Sequence, residues 1–387
     1  MKKKLMSILT TSVLAIGLVA GCTPTTPTTT AGGTTPGTTA AGTTTAGTSA
    51  ETTPATTTAS GEKLKVTLIV GGNLGDKSFN DSAWAGLKKA EAELGTEVKV
   101  IELGGDPSKQ EPTVRDVADD GTDIIMVASG GLIEAVQLVA PEYPDVKFVS
   151  FDVSPSYAVE NDNLYGIIFK QNEADFLAGA IAGKMSKSGV IGFVGGQENP
   201  IINDFLVGYI DGAKQANPAI KVAVSFVGNW TDSAKGKEMS FAQVLLGADV
   251  LHGVAGGAGL GVIEAAAEKK LWAIGVDSDQ TLMFEGDSAK ANAIVTSALK
   301  NVGDTLYLVI KKHQEGSLNW GKLESFGIKE GAVGLARNDN YKKNVPAEVQ
   351  TWVDELENKV KNGEYTVPSA FTMTNEQFVE LKNSIKP

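Results

Sequence analysis

Short apolar runs rich in β-branched residues recur along the chain at 64–70, 98–103, 124–128, 147–151, 190–194, 222–227, 250–254 and 272–276. Longer stretches with helical spacing separate most of them; Ala83, Trp84, Leu87, Ala90 and Leu94 share one face of a helix expected from about residue 82. Strand followed by helix followed by strand predicts parallel sheets covered on both faces, and a body of this length suits two of them. The run 164–169, followed by Lys170, Gln171, Asn172 and Glu173, reads as a crossing between two lobes. A return of the chain to the first lobe within 294–326 would complete a hinge of several strands. The expected division is a first lobe of 62–169 plus about 300–335, a second lobe of 170–299 and a C-terminal helical extension of 336–387. A single larger sheet would show the same alternation.

The start of the chain has a different pattern. Lys2, Lys3 and Lys4 precede an apolar stretch from Leu5 to Val19, then small residues and Cys22, the one cysteine of the chain. That layout is an export signal, and its apolar part is short for a membrane span. The sequence Leu18-Val19-Ala20-Gly21-Cys22 resembles a bacterial lipobox, which implies removal of residues 1–21 and lipidation of Cys22. Several acyl chains would then make the attachment firm. Residues 23–60 are almost wholly Thr, Pro, Ala, Gly and Ser, with no aromatic side chain, so they cannot bury enough surface to offset the entropy of folding. The expectation for 22–61 is a disordered tether spanning on the order of 35 Å as a random coil.

A formal net charge of -12 argues against nucleic acid as a partner and against an anionic membrane surface as a seat for the folded body. No disulfide is available, so the body must be stable through its core. Chemistry is expected at the carboxyl ends of the strands, where parallel α/β sheets bind ligands. After the first strand run come Gly71, Gly72, Asn73, Leu74, Gly75, Asp76, Lys77, Ser78, Phe79, Asn80 and Asp81. Asp76, Ser78 or Asn80 can cap the following helix. Capping leaves Phe79 unexplained, a large apolar residue in a polar loop and a candidate for stacking on a ligand. Asp152 leaves the buried run 147–151 as a candidate acceptor for ligand N–H groups.

In the second half, Gly195-Gly196-Gln197 follows a strand run, and Phe205, placed at the start of the next helix, suits the core better than a ligand. Trp230, in Gly228-Asn229-Trp230-Thr231-Asp232, is the better cleft aromatic. The glycine-rich stretch 253–259 lacks the Lys-Ser/Thr ending of a phosphate loop, although its backbone N–H groups stay open to close approach. Asp277 leaves another apolar run. Lys300 ends the apolar stretch 294–300, read as a helix, where a lysine is ordinarily a solvated flank; paired with a carboxylate across the cleft it would hold sugar hydroxyls. The alternating carboxylates Asp277 and Asp279 offer too few oxygens for calcium. His252 and His313 lack neighbours at zinc spacing, and no Gly-x-Ser-x-Gly elbow occurs. Neither a metal, a cofactor nor an enzymatic activity is expected.

Taken in order behind the lipobox, Gly75-Asp76-Lys77-Ser78-Phe79-Asn80-Asp81, Phe151-Asp152, Gly256-Gly257, Gly275-Val276-Asp277 and Ser297-Ala298-Leu299-Lys300 resemble the basic membrane protein family of substrate-binding lipoproteins, from about residue 63 to 334. The resemblance implies an α/β periplasmic-binding-protein fold of type I, with two lobes, each a parallel sheet flanked by helices, joined by a multi-strand hinge. It implies a purine nucleoside as ligand, an ABC transporter permease as partner, and a lipid-anchored position on the extracytoplasmic face of the cell membrane. Base stacking would fall to Phe79 and Trp230, with Phe205 nearby, and base hydrogen bonding to Asn80 and Asp152. Sugar contacts would fall to Asp277 and Lys300 with backbone from Gly257, and Asp76 joins the candidate set. Trp230 stands where a phenylalanine is expected, which opens the choice of base. Another flat heterocycle such as a flavin, a sugar, or a nucleoside-processing enzyme are the competing readings.

Overall fold

The computed structural model describes residues 62–128, 130–284 and 286–387. The expected export signal, Cys22 and the expected tether lie outside the described residues. Along the first part of the chain run β1 (Lys65–Val70), α1 (Phe79–Leu94), β2 (Glu97–Glu102), α2 (Gln110–Asp119), β3 (Ile124–Val127), α3 (Gly130–Val139), β4 (Lys147–Phe151) and β5 (Leu164–Phe169). The second part holds α4 (Gln171–Met185), β6 (Val190–Gly195), α5 (Pro200–Ala216), β7 (Lys221–Phe226), α6 (Ser233–Leu245), β8 (Val250–Val254), α7 (Gly259–Lys269), β9 (Trp272–Asp277), α8 (Ser288–Ala293) and β10 (Ile294–Lys300). Then come α9 (Val302–Gln314), β11 (Lys322–Phe326), β12 (Val333–Leu335), α10 (Asp339–Asn344), α11 (Ala347–Lys361) and α12 (Asn375–Ser384).

The strands form two six-stranded sheets, ordered β11-β5-β4-β3-β1-β2 and β12-β10-β9-β8-β6-β7. All neighbours pair in parallel except β10 and β12. Each lobe repeats the same order, so β4 in the first lobe corresponds to β9 in the second. The central strands are buried along their whole length, as expected for sheets covered on both faces.

The segment expected to return to the first lobe divides between the two. β10 stays in the second sheet beside β9, and the return comes only with α9, whose Asp304 pairs with Lys89 of α1 at 2.9 Å. β11 then joins β5, and β12 goes back to β10. Three crossings therefore connect the lobes, at Lys170, at Asn301 and over 327–332. The stretch 294–300 is a strand and not a helix, because Thr296 and Ser297 are enclosed between β9 and β12, with Thr296 Oγ1 donating to the carbonyl of Ala336.

Helices α4 and α5 meet backbone to backbone. A Cβ at Gly212 would lie 1.8 Å from the Phe176 carbonyl oxygen, and one at Gly179 would lie 2.0 Å from that of Tyr209. Only glycine permits this approach. The C-terminal extension packs on the same helices. Tyr365 stacks on Phe176 at 5.1 Å and donates to Asp211, while Arg337 holds Asp354 and Glu357 of α11. No described helix is long and apolar enough to cross a membrane.

Candidate functional site

The loop between β1 and α1 is folded around two carboxylates. Asp76 accepts from the backbone N–H groups of Ser78, Asn80 and Asp81 at 3.0, 2.9 and 3.2 Å, and so caps α1. Asp81 accepts from those of Gly75 and Lys77 at 2.7 and 2.8 Å, around left-handed turns at both residues. Burial pushes the Asp76 carboxyl up, against the pull of its three N–H donors. With capping assigned to Asp76, the Ser78 hydroxyl is released for another partner: it donates to Asp277 of the second lobe.

Asp152 and Asp277 sit at corresponding ends of β4 and β9, and each takes a left-handed backbone conformation. Between them stands Lys300, the last residue of β10, only 1% exposed. Its ammonium donates to Asp152 across the lobes. Three rings surround the same nitrogen, with centroids of Phe79 and Phe169 at 5.3 Å and of Phe205 at 5.0 Å. Phe79 also stacks on Phe151 at 5.6 Å with planes inclined by 26°. The lysine, expected on a helix either as a solvated flank or as the partner of a carboxylate across the cleft, is thus a buried strand residue inside an aromatic cage, paired with Asp152. Phe205 lies inside α5, which starts at Pro200, and serves as core and cage wall together.

Burial pushes the Asp277 carboxyl up to about 6, although Lys300 and the Ser78 hydroxyl favour its ionised form, and Asp76 and Asp152 add to the upward push. The cage is therefore a group of carboxylates sharing one ammonium, walled by phenylalanines. Such a set accepts hydrogen bonds from hydroxyl and N–H groups of a ligand and offers ring faces to a flat one.

Trp230 and Gly257 form a second group, at the ends of β6, β7 and β8. The Trp230 ring lies against Gly196, where a Cβ would come within 2.4 Å of it, and the Trp230 carbonyl accepts from Ala258 at 3.0 Å. The indole stays 39% exposed, so one part of it is held and another is free for contact. Asn80 turns its amide to the Asn73 carbonyl at 3.1 Å, beside the capping loop.

Sequence reasoning passed over the groups that join the lobes directly. Gln280, 2% exposed, donates to the Lys77 carbonyl at 3.1 Å, and its own oxygen accepts from Val276 N–H at 3.1 Å. Lys77 donates to the Met283 carbonyl and lies 5.3 Å from the Phe284 centroid. Behind the site, the imidazole of His252 is fully buried between the Ile274 carbonyl at 3.0 Å and Asp175 at 3.1 Å. Burial opposes a charge there, but Asp175 outweighs it and holds the imidazole above its ordinary value, as a ring with both nitrogens facing acceptors requires. No group of three or more metal-ligating side chains occurs among the described residues.

Two sheets of matching order, three crossings and polar groups converging between the lobes define a two-lobed solute-binding protein. A solute-binding protein of an ABC transporter system from Aeropyrum pernix K1 superposes with a TM-score of 0.70 at 24% identity, covering 83% of this chain and 97% of that one. A structure from Bacillus halodurans described as a transcriptional activator of the comK gene superposes with a TM-score of 0.66 at 26% identity, covering 78% and 99%. Basic membrane protein A of Borreliella burgdorferi is 35% identical over 312 residues, 79% of this chain and 88% of the relative. Residues 63–370 match the family of PnrA-like ABC transporter substrate-binding proteins, Bmp, and the chain belongs to that family.

Proposed function

We propose that the protein is an extracytoplasmic lipoprotein that binds a purine nucleoside between its lobes and presents it to an ABC transporter permease. The observation that carries this reading is the caged Lys300, with Phe79, Phe169 and Phe205 around it and Asp152 beside it. A flat base competes for the same ring faces, and stacking contributes about 1–3 kcal/mol per ring. Ribose hydroxyls find acceptors in Asp277 and Asp152 and a donor in Lys300. A ligand touching both lobes favours the closed arrangement by its differential affinity, and the permease then recognises that form. The description of the family as substrate-binding and of the Aeropyrum pernix structure as solute-binding supports a receptor over an enzyme.

The exposed indole of Trp230 favours one second reading, a wider heterocycle of the flavin type. Calorimetric titration with guanosine, inosine, adenosine, riboflavin and ribose separates the readings. Heat and saturation with a purine nucleoside are expected; saturation with ribose or riboflavin alone would replace this conclusion. Recovery of intact nucleoside after incubation distinguishes a receptor from a hydrolase.

A further inference from the structure

The C-terminal extension is fastened to the second lobe and also reaches the first. Its attachment is at Asp204 of α5, a fully buried carboxylate that accepts from the Ser369 hydroxyl at 2.6 Å and the Ala370 N–H at 2.9 Å. Asn172 at the start of α4 adds hydrogen bonds to the carbonyls of Val367 and Pro368, both at 3.1 Å. One residue beyond this attachment, Phe371 packs against the small apolar cluster that Val153, Tyr157 and Ile168 form in the first lobe. Val153 directly follows Asp152, the partner of Lys300, and its N–H is bonded to the Ile167 carbonyl at 3.1 Å. Tyr157 is fixed from the other side by donating to Ser150 of β4 at 3.0 Å.

We propose that residues 366–373 are a strap spanning the two lobes beside the hinge, with Phe371 as a positioning residue that holds the 152–157 turn, and through it Asp152, against Lys300. Beside the three backbone crossings and the polar contacts across the cleft, the strap adds a link between the lobes made by side-chain packing. A cavity of about 320 Å³ lies beside it, between Pro155 and Ser325 of the first lobe, Lys170 and Glu173 at the crossing, and Tyr365 and Thr372 of the extension. That space leaves one side of the strap unpacked.

Amide hydrogen exchange on the full chain tests this without any ligand, so the outcome is independent of the nucleoside reading. Phe371→Ala removes the contact at one end of the strap and Ser369→Ala weakens its attachment at the other. Both variants are expected to exchange faster, by roughly tenfold, at 152–157 and also at Lys77, Ser78 and Gln280, which the strap does not touch, with α4 and α5 unchanged. Phe371→Leu should restore most of the protection. Acceleration confined to 152–157 and 365–373, with the residues across the cleft exchanging as in the parent chain, overturns the proposal.

Discussion

Asp152 and Asp277 are counterparts: they stand at the carboxyl ends of β4 and β9, which hold the same place in the two sheet orders, and each holds a left-handed backbone, with φ of 60° and 62°. Non-glycine residues adopt that conformation at a cost, and aspartate bears it better than most. Two copies of one strained turn therefore aim carboxylates from opposite lobes at one ammonium. Lys300→Met is expected to leave both carboxylates without it and to destabilise the chain by about 3 kcal/mol, read as a lower urea midpoint. An unchanged midpoint would mean that the pair is not coupled to folding.

Asp277 also sets a pH dependence. Its carboxyl titrates at about 6 when folded, against an ordinary 3.8, so the native chain binds the extra proton between those values. Its contribution to stability is therefore greatest below about pH 4, declines as pH rises through the window, and is lowest above 6. Asp277→Asn should raise the melting temperature more at pH 8 than at pH 4.5. An increment equal at both values contradicts the assignment.

Phe79→Ala removes a ring face that Lys300 and a flat ligand both use. Guanosine affinity should fall by roughly 5- to 150-fold, the equivalent of about 1–3 kcal/mol. Ribose, if it binds at all, should lose much less. Titration calorimetry on parent and variant gives both numbers.

Ser78→Ala deletes the hydroxyl that reaches Asp277 while leaving the Asp76 cap on α1 in place. Thermal stability should change little, and limited proteolysis at the crossings should quicken as the lobes separate more often. A large loss of stability with no change in proteolysis would place Ser78 in the fold and not in closure.

Gly212→Ala forces a methyl group onto the Phe176 carbonyl, 1.8 Å from the built Cβ. Separation of α4 from α5 is expected, at a cost of at least about 2 kcal/mol by chemical denaturation.

The fold was legible because the central strands are short apolar runs, and β1, β4, β6 and β9 are closed by glycine or aspartate, so that period and punctuation agree there. The carboxylates Asp152 and Asp277 were legible for the same reason: a charge at the end of a buried run has few other uses. Lys300 was placed on the wrong element because Thr296 and Ser297 break the apolar run in a way that suits helix and strand alike, and only β12 coming back from 333 decides between them. The Ser78–Asp277 contact joins residues 199 apart and His252–Asp175 residues 77 apart, a distance over which local pattern carries no signal. Phe205, open in the sequence between core and ligand contact, is buried with its ring against the Lys300 ammonium.

The glycine contact between α4 and α5 has a mechanical side. Two helices whose backbones touch cannot slide over one another, and α4 begins one residue after the Lys170 crossing. The second lobe therefore behaves as a stiff plate on three short flexures, and bending collects at Lys170, Asn301 and 327–332. A substitution that stiffens a flexure should slow opening and closing together, lengthening ligand residence and delaying capture alike, so that the rates change while the equilibrium holds.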